Sequence, residues 1–178
     1  MTFRWRGEAV DRLLDEAHAD LVDAAAALLR QFGWEITIET TFSIDGERGS
    51  IDILAWCAAE RALLVGEVKS VVPDAQATIG TLDRKTRLGA RIARERGWDP
   101  VTVGRVLLIG EGTTARRRVA RHASLFETAF PDRARKVLIW LRRPNGPLSG
   151  LFYLRSRASL SPDSRPTGLG QRRAGPGA

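Results

Sequence analysis

The amino-acid sequence predicts an α/β fold: a mixed central β-sheet flanked by helices. Three observations predict it. A helix-period stripe opens the chain, three closely spaced strand-like runs follow, and a second helical stretch leads into a further apolar run. The resulting order is α-β-β-β-α-β. Three consecutive strands followed by a helical crossover give a mixed sheet with helices packed on it.

Each element has its own warrant. Over residues 8–32, Val10, Leu14, Ala17, Leu21, Ala25, Leu28 and Phe32 recur at three- and four-residue spacing, and Gly33 ends the helix. Trp34, Ile36 and Ile38 then alternate with Glu35, Thr37 and Glu39, the period of a strand. Asp45-Gly46 is a turn pair, followed by strands at about 50–56 and 62–69 joined through Ala58-Ala59-Glu60 as an antiparallel hairpin. Pro73-Asp74 opens a second helix running to about Arg96, with Asp74 as N-cap. Val101–Ile109 reads as a strand and 113–129 as an extra helix. Lys136–Leu141 and Leu148–Leu154, either side of Pro144-Asn145-Gly146-Pro147, read as a C-terminal hairpin. Residues 1–156 form one domain, and 157–178, rich in Arg, Ser, Pro and Gly, are expected to be a disordered basic tail.

Bulk properties narrow the classes. The chain of 178 residues suffices for one sizeable core. No apolar run approaches the ~20 residues of a membrane span, and the N-terminal residues lack a signal-peptide core. One cysteine, Cys57, forms no internal disulfide, and no Cys/His cluster suggests zinc, so a cytoplasmic location is the default expectation. Charge is uneven: residues 1–60 hold 5 Arg and 12 Asp/Glu, a net of −7, and residues 61–178 hold 23 Lys/Arg and 9 Asp/Glu, a net of +14. This asymmetry favours a polyanion partner for the second half, although GC-rich codons also inflate Arg. Only 3 of 28 basic residues are Lys (69, 85 and 136), yet one lies in an acidic strand motif.

That motif carries the chemistry. Asp52 in Ser50-Ile51-Asp52-Ile53-Leu54, and Glu67 and Lys69 in Val65-Gly66-Glu67-Val68-Lys69, are charged residues inside apolar strands. Unpaired buried charges are costly, so they need one another, a metal or a substrate. Alternation points Glu67 and Lys69 the same way, and the hairpin brings Asp52 beside Glu67. The two carboxylates, with the Val68 backbone carbonyl, suit Mg²⁺ or Mn²⁺. Lys69 would orient a water and stabilise charge on a phosphate. The competing reading is a structural Glu67–Lys69 ion pair, with Asp52 capped by backbone amides.

These two strand motifs, with the element order over roughly residues 8–110, resemble the PD-(D/E)XK nuclease superfamily, nearest its restriction-endonuclease-like and Holliday-junction-resolvase-like branches. The resemblance implies a restriction-endonuclease-like core, Mg²⁺-dependent hydrolysis of DNA leaving 5′-phosphate and 3′-hydroxyl ends, and a homodimer where both strands are cut. Many relatives carry a Glu in the first helix about eleven residues before its terminal Gly; here that position is Val22. One turn earlier, His18 is either an additional metal or water contact or a histidine at the helix–sheet boundary. Asp11 and Asp15 share its flank, while Glu16, Asp20 and Asp23 read as a solvated face. Gln76 matches a glutamine used by exonuclease-type relatives, with a solvent-facing role as the alternative.

Other residues extend the basic surface. Lys85, with Asp83 and Arg84, reads as an exposed charged turn in reach of phosphate. Arg116, Arg117, Arg118 and Arg121, with Arg155, Arg157, Arg165, Arg172 and Arg173, suit sequence-independent phosphate contacts or a solvated helix and tail. Glu47, Arg48 and Gly49 read as the substrate mouth or a plain loop. The five Trp residues favour core packing, with Trp56 near the site. Two further functions compete with a metal-dependent DNA endonuclease. One is a catalytically weak or inactive nuclease-fold DNA-binding or regulatory protein; the other is a partner-binding domain using the acidic first helix. The DNA structure preferred, and DNA against RNA, stay open.

Overall fold

A computed structural model describes the backbone of residues 4–155 and the side chains of residues 10–155; the expected basic tail lies outside these residues. A five-stranded mixed sheet is flanked by helices on both faces. The elements are α1 (Arg4–Gln31), β1 (Glu35–Ile44), β2 (Glu47–Cys57), β3 (Ala62–Lys69), α2 (Ala75–Glu95), β4 (Thr102–Gly110), α3 (Thr113–Arg121), α4 (Ala123–Ala129), α5 (Ala134–Arg142) and β5 (Leu148–Leu154). Strand order follows the sequence, β1-β2-β3-β4-β5. The first three strands form an antiparallel meander, and β3–β4 and β4–β5 pair in parallel.

Two apolar layers cover the sheet. On one face Leu21, Val22, Ala25 and Leu29 of α1 and Val137, Trp140 and Leu141 of α5 pack on Ile53, Ala55, Leu64, Val68 and Val106. On the other, Leu82, Leu88 and Ile92 of α2 and Phe126 of α4 pack on Leu54, Leu63, Val65 and Leu107. Full burial of each large side chain contributes about 1.5–3 kcal/mol. Local signals work as the sequence predicts. Asp74 caps α2, its Oδ1 accepting from the Ala77 amide at 2.9 Å. Asp45 and Gly46 both take positive φ, the geometry of a tight hairpin turn. Gly33, at φ 80°, ends α1.

Four expectations need correction. Residues 136–141 are not a strand: they belong to α5, and no terminal hairpin forms. A five-residue apolar run has no period of its own. Here Val137, Trp140 and Leu141 are buried at helical spacing, and the parallel neighbours β4 and β5 require a crossover that α5 helps supply. The single helix over 113–129 is two, broken at His122 (φ −120°, ψ 36°) without the Gly or Pro that would mark it in sequence. Glu47, Arg48 and Gly49 are not loop; they start β2, and Glu47 accepts both its bonds from Arg87 at 2.9 Å. The outer half of the expected α1 stripe is solvent-facing, with Val10 and Leu14 at 53% and 48% exposure, because α1 outreaches the sheet and its packing begins near Leu21.

The strand β4 approaches α5 closely at Gly104, where a Cβ would lie 2.6 Å from the Trp140 ring. Trp140 is buried and stacked on Trp34, so the ring has little room to yield. Gly104→Val is expected to destabilise the protein by about 1–3 kcal/mol, the usual cost of overpacking. Urea unfolding followed by tryptophan fluorescence measures it.

Candidate functional site

The site begins with a break in strand pairing. Along β1–β2 the rungs run from Glu35↔Trp56 to Ile38↔Ile53 and resume at Thr40↔Ile51. Glu39, opposite Asp52, takes a left-handed φ of 50°, a conformation that costs a non-glycine residue about 1–2 kcal/mol. The ribbon coils there. Ile36, Ile38 and Ile53 pack toward α1, whereas Phe42, Ile44 and Ile51 pack toward α2. The β2–β3 ladder ends at Ile53↔Gly66, just where β2 turns away.

The Asp52 side chain takes over where the ladder stops. Its Oδ2 accepts from the Val68 amide at 2.7 Å, in place of a main-chain carbonyl. In an extended residue N–H and C=O point to the same side, so the Val68 carbonyl also faces the gap beside Asp52. Glu67 lies on the α2 face of β3, in line with Leu63 and Val65, and is fully buried (0% exposed). Lys69, at the end of β3, keeps about a third of its side chain exposed and brings Nζ to 2.7 Å from Glu67 Oε1. The approach is an ion pair without hydrogen-bond alignment, and Glu67 Oε1 has no hydrogen-bond partner.

Lys85 completes the cluster, and its place corrects the sequence expectation. It is not on an exposed turn. Its side chain lies on the apolar stripe of α2 with Leu82 and Leu88, is 7% exposed, and bridges the two carboxylates. Its Nζ donates to Asp52 Oδ1 at 3.1 Å and to Glu67 Oε2. The sequence held a signal for this: a lysine, scarce in this chain, interrupts the buried face of α2 at helical spacing. The result is two carboxylates and two ammonium groups where the β2–β3 ladder ends. The structural reading anticipated from sequence also holds in its geometry, since Glu67 pairs with Lys69 and Asp52 accepts a backbone amide.

The donor set suits a hard divalent cation. Asp52, Glu67 and the Val68 carbonyl offer only oxygen, one carboxylate oxygen is buried without a hydrogen-bond partner, and such ions retain several waters. No third Asp, Glu, His or Cys joins them among the described residues. His18 is half-buried on α1, the helix that packs on the opposite face of the sheet, and forms no metal-ligating group with the carboxylates. Val22 is buried in the apolar layer beneath α1. Gln76 is exposed at the start of α2 and borders a groove with His122 and Leu125 rather than the carboxylates.

The arginines of α3 divide. Arg118 and Arg121, with His122, line a hollow of about 240 Å³ against Val72 and Pro73, three residues beyond Lys69. Arg118 also donates to the Val72 carbonyl at 3.4 Å. Arg117 is exposed. Arg116 instead lies 4.3 Å over the Tyr153 ring and bonds Glu111 at 2.8 Å. Asp83 is drawn from its expected charged turn into an ion pair with Arg105 of β4. Trp56 is not at the carboxylates; it stacks on Trp98 at 5.7 Å.

Glu111 borders an open cleft of about 460 Å³ that runs past Ser70, Val71, Ala17 and Leu21. Hydrogen bonds from Arg155 and Arg116 hold its carboxyl below the ordinary value of 4.5. A depressed carboxyl contributes stability above its unfolded pKa and loses it as pH falls through the folded one. Titration of Glu111 by NMR should therefore give a midpoint under 4.5, and Arg155→Ala should raise it.

Comparison with family models, with curated proteins and with solved structures finds no match for this chain.

Proposed function

We propose that the chain is a divalent-metal-dependent DNA endonuclease, of restriction, repair or junction-resolving type, on a restriction-endonuclease-like core. The observation that carries this reading is the convergence of Asp52 and the buried Glu67 where the β2–β3 ladder ends, with Lys69 at the rim. Buried Glu67 Oε1 has no aligned hydrogen bond and meets only the partly exposed Lys69 ammonium, which leaves it suited to a ligand. A Mg²⁺ or Mn²⁺ ion held by Asp52, Glu67 and the Val68 carbonyl would polarise a phosphodiester and acidify a bound water.

The chain's own groups supply the rest. The Val68 amide fixes the orientation of Asp52, and strand backbone buried on both faces fixes Glu67. Lys69 holds a protonated amine beside Glu67 and is partly open to solvent, so it serves to orient the attacking water and to stabilise charge building on the phosphate. Arg118, Arg121 and His122 face the connection that follows Lys69, a fitting track for the DNA backbone. Cutting both strands of a duplex needs two such sites, which a homodimer would provide.

A second reading, a nuclease-fold protein that binds DNA with weak or no catalysis, is favoured by one feature. Lys69 and Lys85 already balance the two carboxylates, and Val22 offers no further ligand. Plasmid, branched, nicked and single-stranded DNA incubated with Mg²⁺ or Mn²⁺ separate the two. Cleavage by the wild type, falling about 10²–10³-fold in Asp52→Ala and Lys69→Ala, is the expected result. Salt-sensitive binding without cleavage selects the second reading, and activity that survives both substitutions removes the assigned site.

Phosphate contacts are tested by binding alone. Arg118→Ala and Arg121→Ala should weaken DNA binding equally across sequences. Each should flatten the plot of log affinity against log salt by about one unit of slope.

A further inference from the structure

Lys85 has a place in the site that the proposed chemistry does not use. It is deeper than Lys69: its side chain is 9% exposed, against 34% for Lys69. It reaches the site from α2, across the apolar layer, and contacts an oxygen of each carboxylate, Asp52 Oδ1 and Glu67 Oε2. Asp52 Oδ2 is already taken by the Val68 amide. A cation that binds both carboxylates must therefore contend with Lys85 for Asp52 Oδ1, and on Glu67 it meets Lys85 at Oε2 or Lys69 at Oε1.

The electrostatics point the same way. Two carboxylates with two ammonium groups form a neutral set. Adding a divalent ion leaves the buried site with two excess positive charges, which is unfavourable in a poorly solvated place. The excess falls if Lys85 withdraws or if a phosphate brings negative charge. Replacing a buried lysine by an apolar residue of similar length leaves both carboxylates without this counter-charge.

We infer that Lys85 is a built-in counter-cation for the Asp52–Glu67 pair, and that a divalent ion enters the site only in competition with its ammonium group. The inference rests on the metal-dependent reading of the site, but its test needs no DNA and no cleavage. Lys85 is thus a positioning residue that sets metal affinity: it holds the carboxylates together without the ion and weakens the ion's hold on them. The ion binds more readily when a phosphodiester is present to offset the added charge.

The experiment is Mn²⁺ binding to the full chain without nucleic acid, followed by calorimetry and by the loss of the free-ion signal in electron paramagnetic resonance. Lys85→Met removes the charge and keeps the apolar stem; Lys85→Gln is a neutral second variant that can still donate to one carboxylate. Lys85→Arg keeps the charge. The neutral variants are expected to bind Mn²⁺ roughly tenfold tighter than wild type, or more, and Lys85→Arg to stay as weak. Mn²⁺ should also raise the melting temperature of the neutral variants more than that of wild type. Equal or weaker Mn²⁺ binding by a folded neutral variant would overturn the inference, as would no Mn²⁺ binding by any of these proteins. Tighter binding by the neutral variants, with no DNA cleavage by wild type, upholds the role of Lys85 and removes only the nuclease reading. Cleavage by wild type with unchanged Mn²⁺ affinity in the variants does the reverse.

Discussion

The end of the β2–β3 ladder at Ile53↔Gly66 is the constraint on which the candidate site depends. Two strands that stop pairing leave main-chain donors and acceptors exposed to an apolar layer, and each must find a partner. Asp52 supplies one, taking the Val68 amide. The same divergence leaves a gap between the strands, with a carboxylate on each side of it. The divergence has a local cause. Glu39, held at positive φ, lets the β1–β2 ribbon coil, so that Ile36 and Ile38 face α1 before that rung and Phe42 and Ile44 face α2 after it. One strained residue on an outer strand thus opens the sheet where the charges collect.

Burial then raises what each charge requires. Glu67 is fully enclosed by strand neighbours and α2, and among the described residues only the lysines bring opposite charge to it. A buried carboxylate with one partner removed is strongly destabilising, whereas a completed set is near neutral. This explains why α2 carries a lysine on its packing face, between Leu82 and Leu88, where an apolar residue would otherwise belong. It also sets the two lysines apart: Lys85 is walled in, while Lys69, at the strand end, remains within reach of solvent and of anything that docks there. The basic hollow of Arg118, Arg121 and His122 lies on the same continuation of the chain beyond β3.

Legibility followed how far each signal is local. Strand alternation, the Asp45-Gly46 turn, the Asp74 cap and the Gly33 stop are short-range, and each appears as read. The same-face placement of Glu67 and Lys69 follows from a period of two and also appears. Lys136–Leu141 is helix rather than strand: a short apolar run carries no period, and β5 joins β4 in parallel, which requires a crossover that α5 helps supply. His18 shares the helical stripe with Leu21 and Leu14 in sequence, but α1 lies over the face away from Glu67. No one-dimensional pattern says which face a helix will cover.

By itself the sequence determined the α/β class, the order of the first six elements, and the pairing of Asp52, Glu67 and Lys69 on adjoining strands. Those depend on hydrophobic period and on turns, which act over a few residues. Only the tertiary structure decided that Lys85 joins the carboxylates, that the arginines of α3 divide between Tyr153 and the Val72 hollow, and that β5 runs parallel to β4 through α5. These outcomes hang on the side of the sheet each helix occupies. The packing of whole elements sets that, and it gives a buried lysine and an exposed one the same letter in the chain.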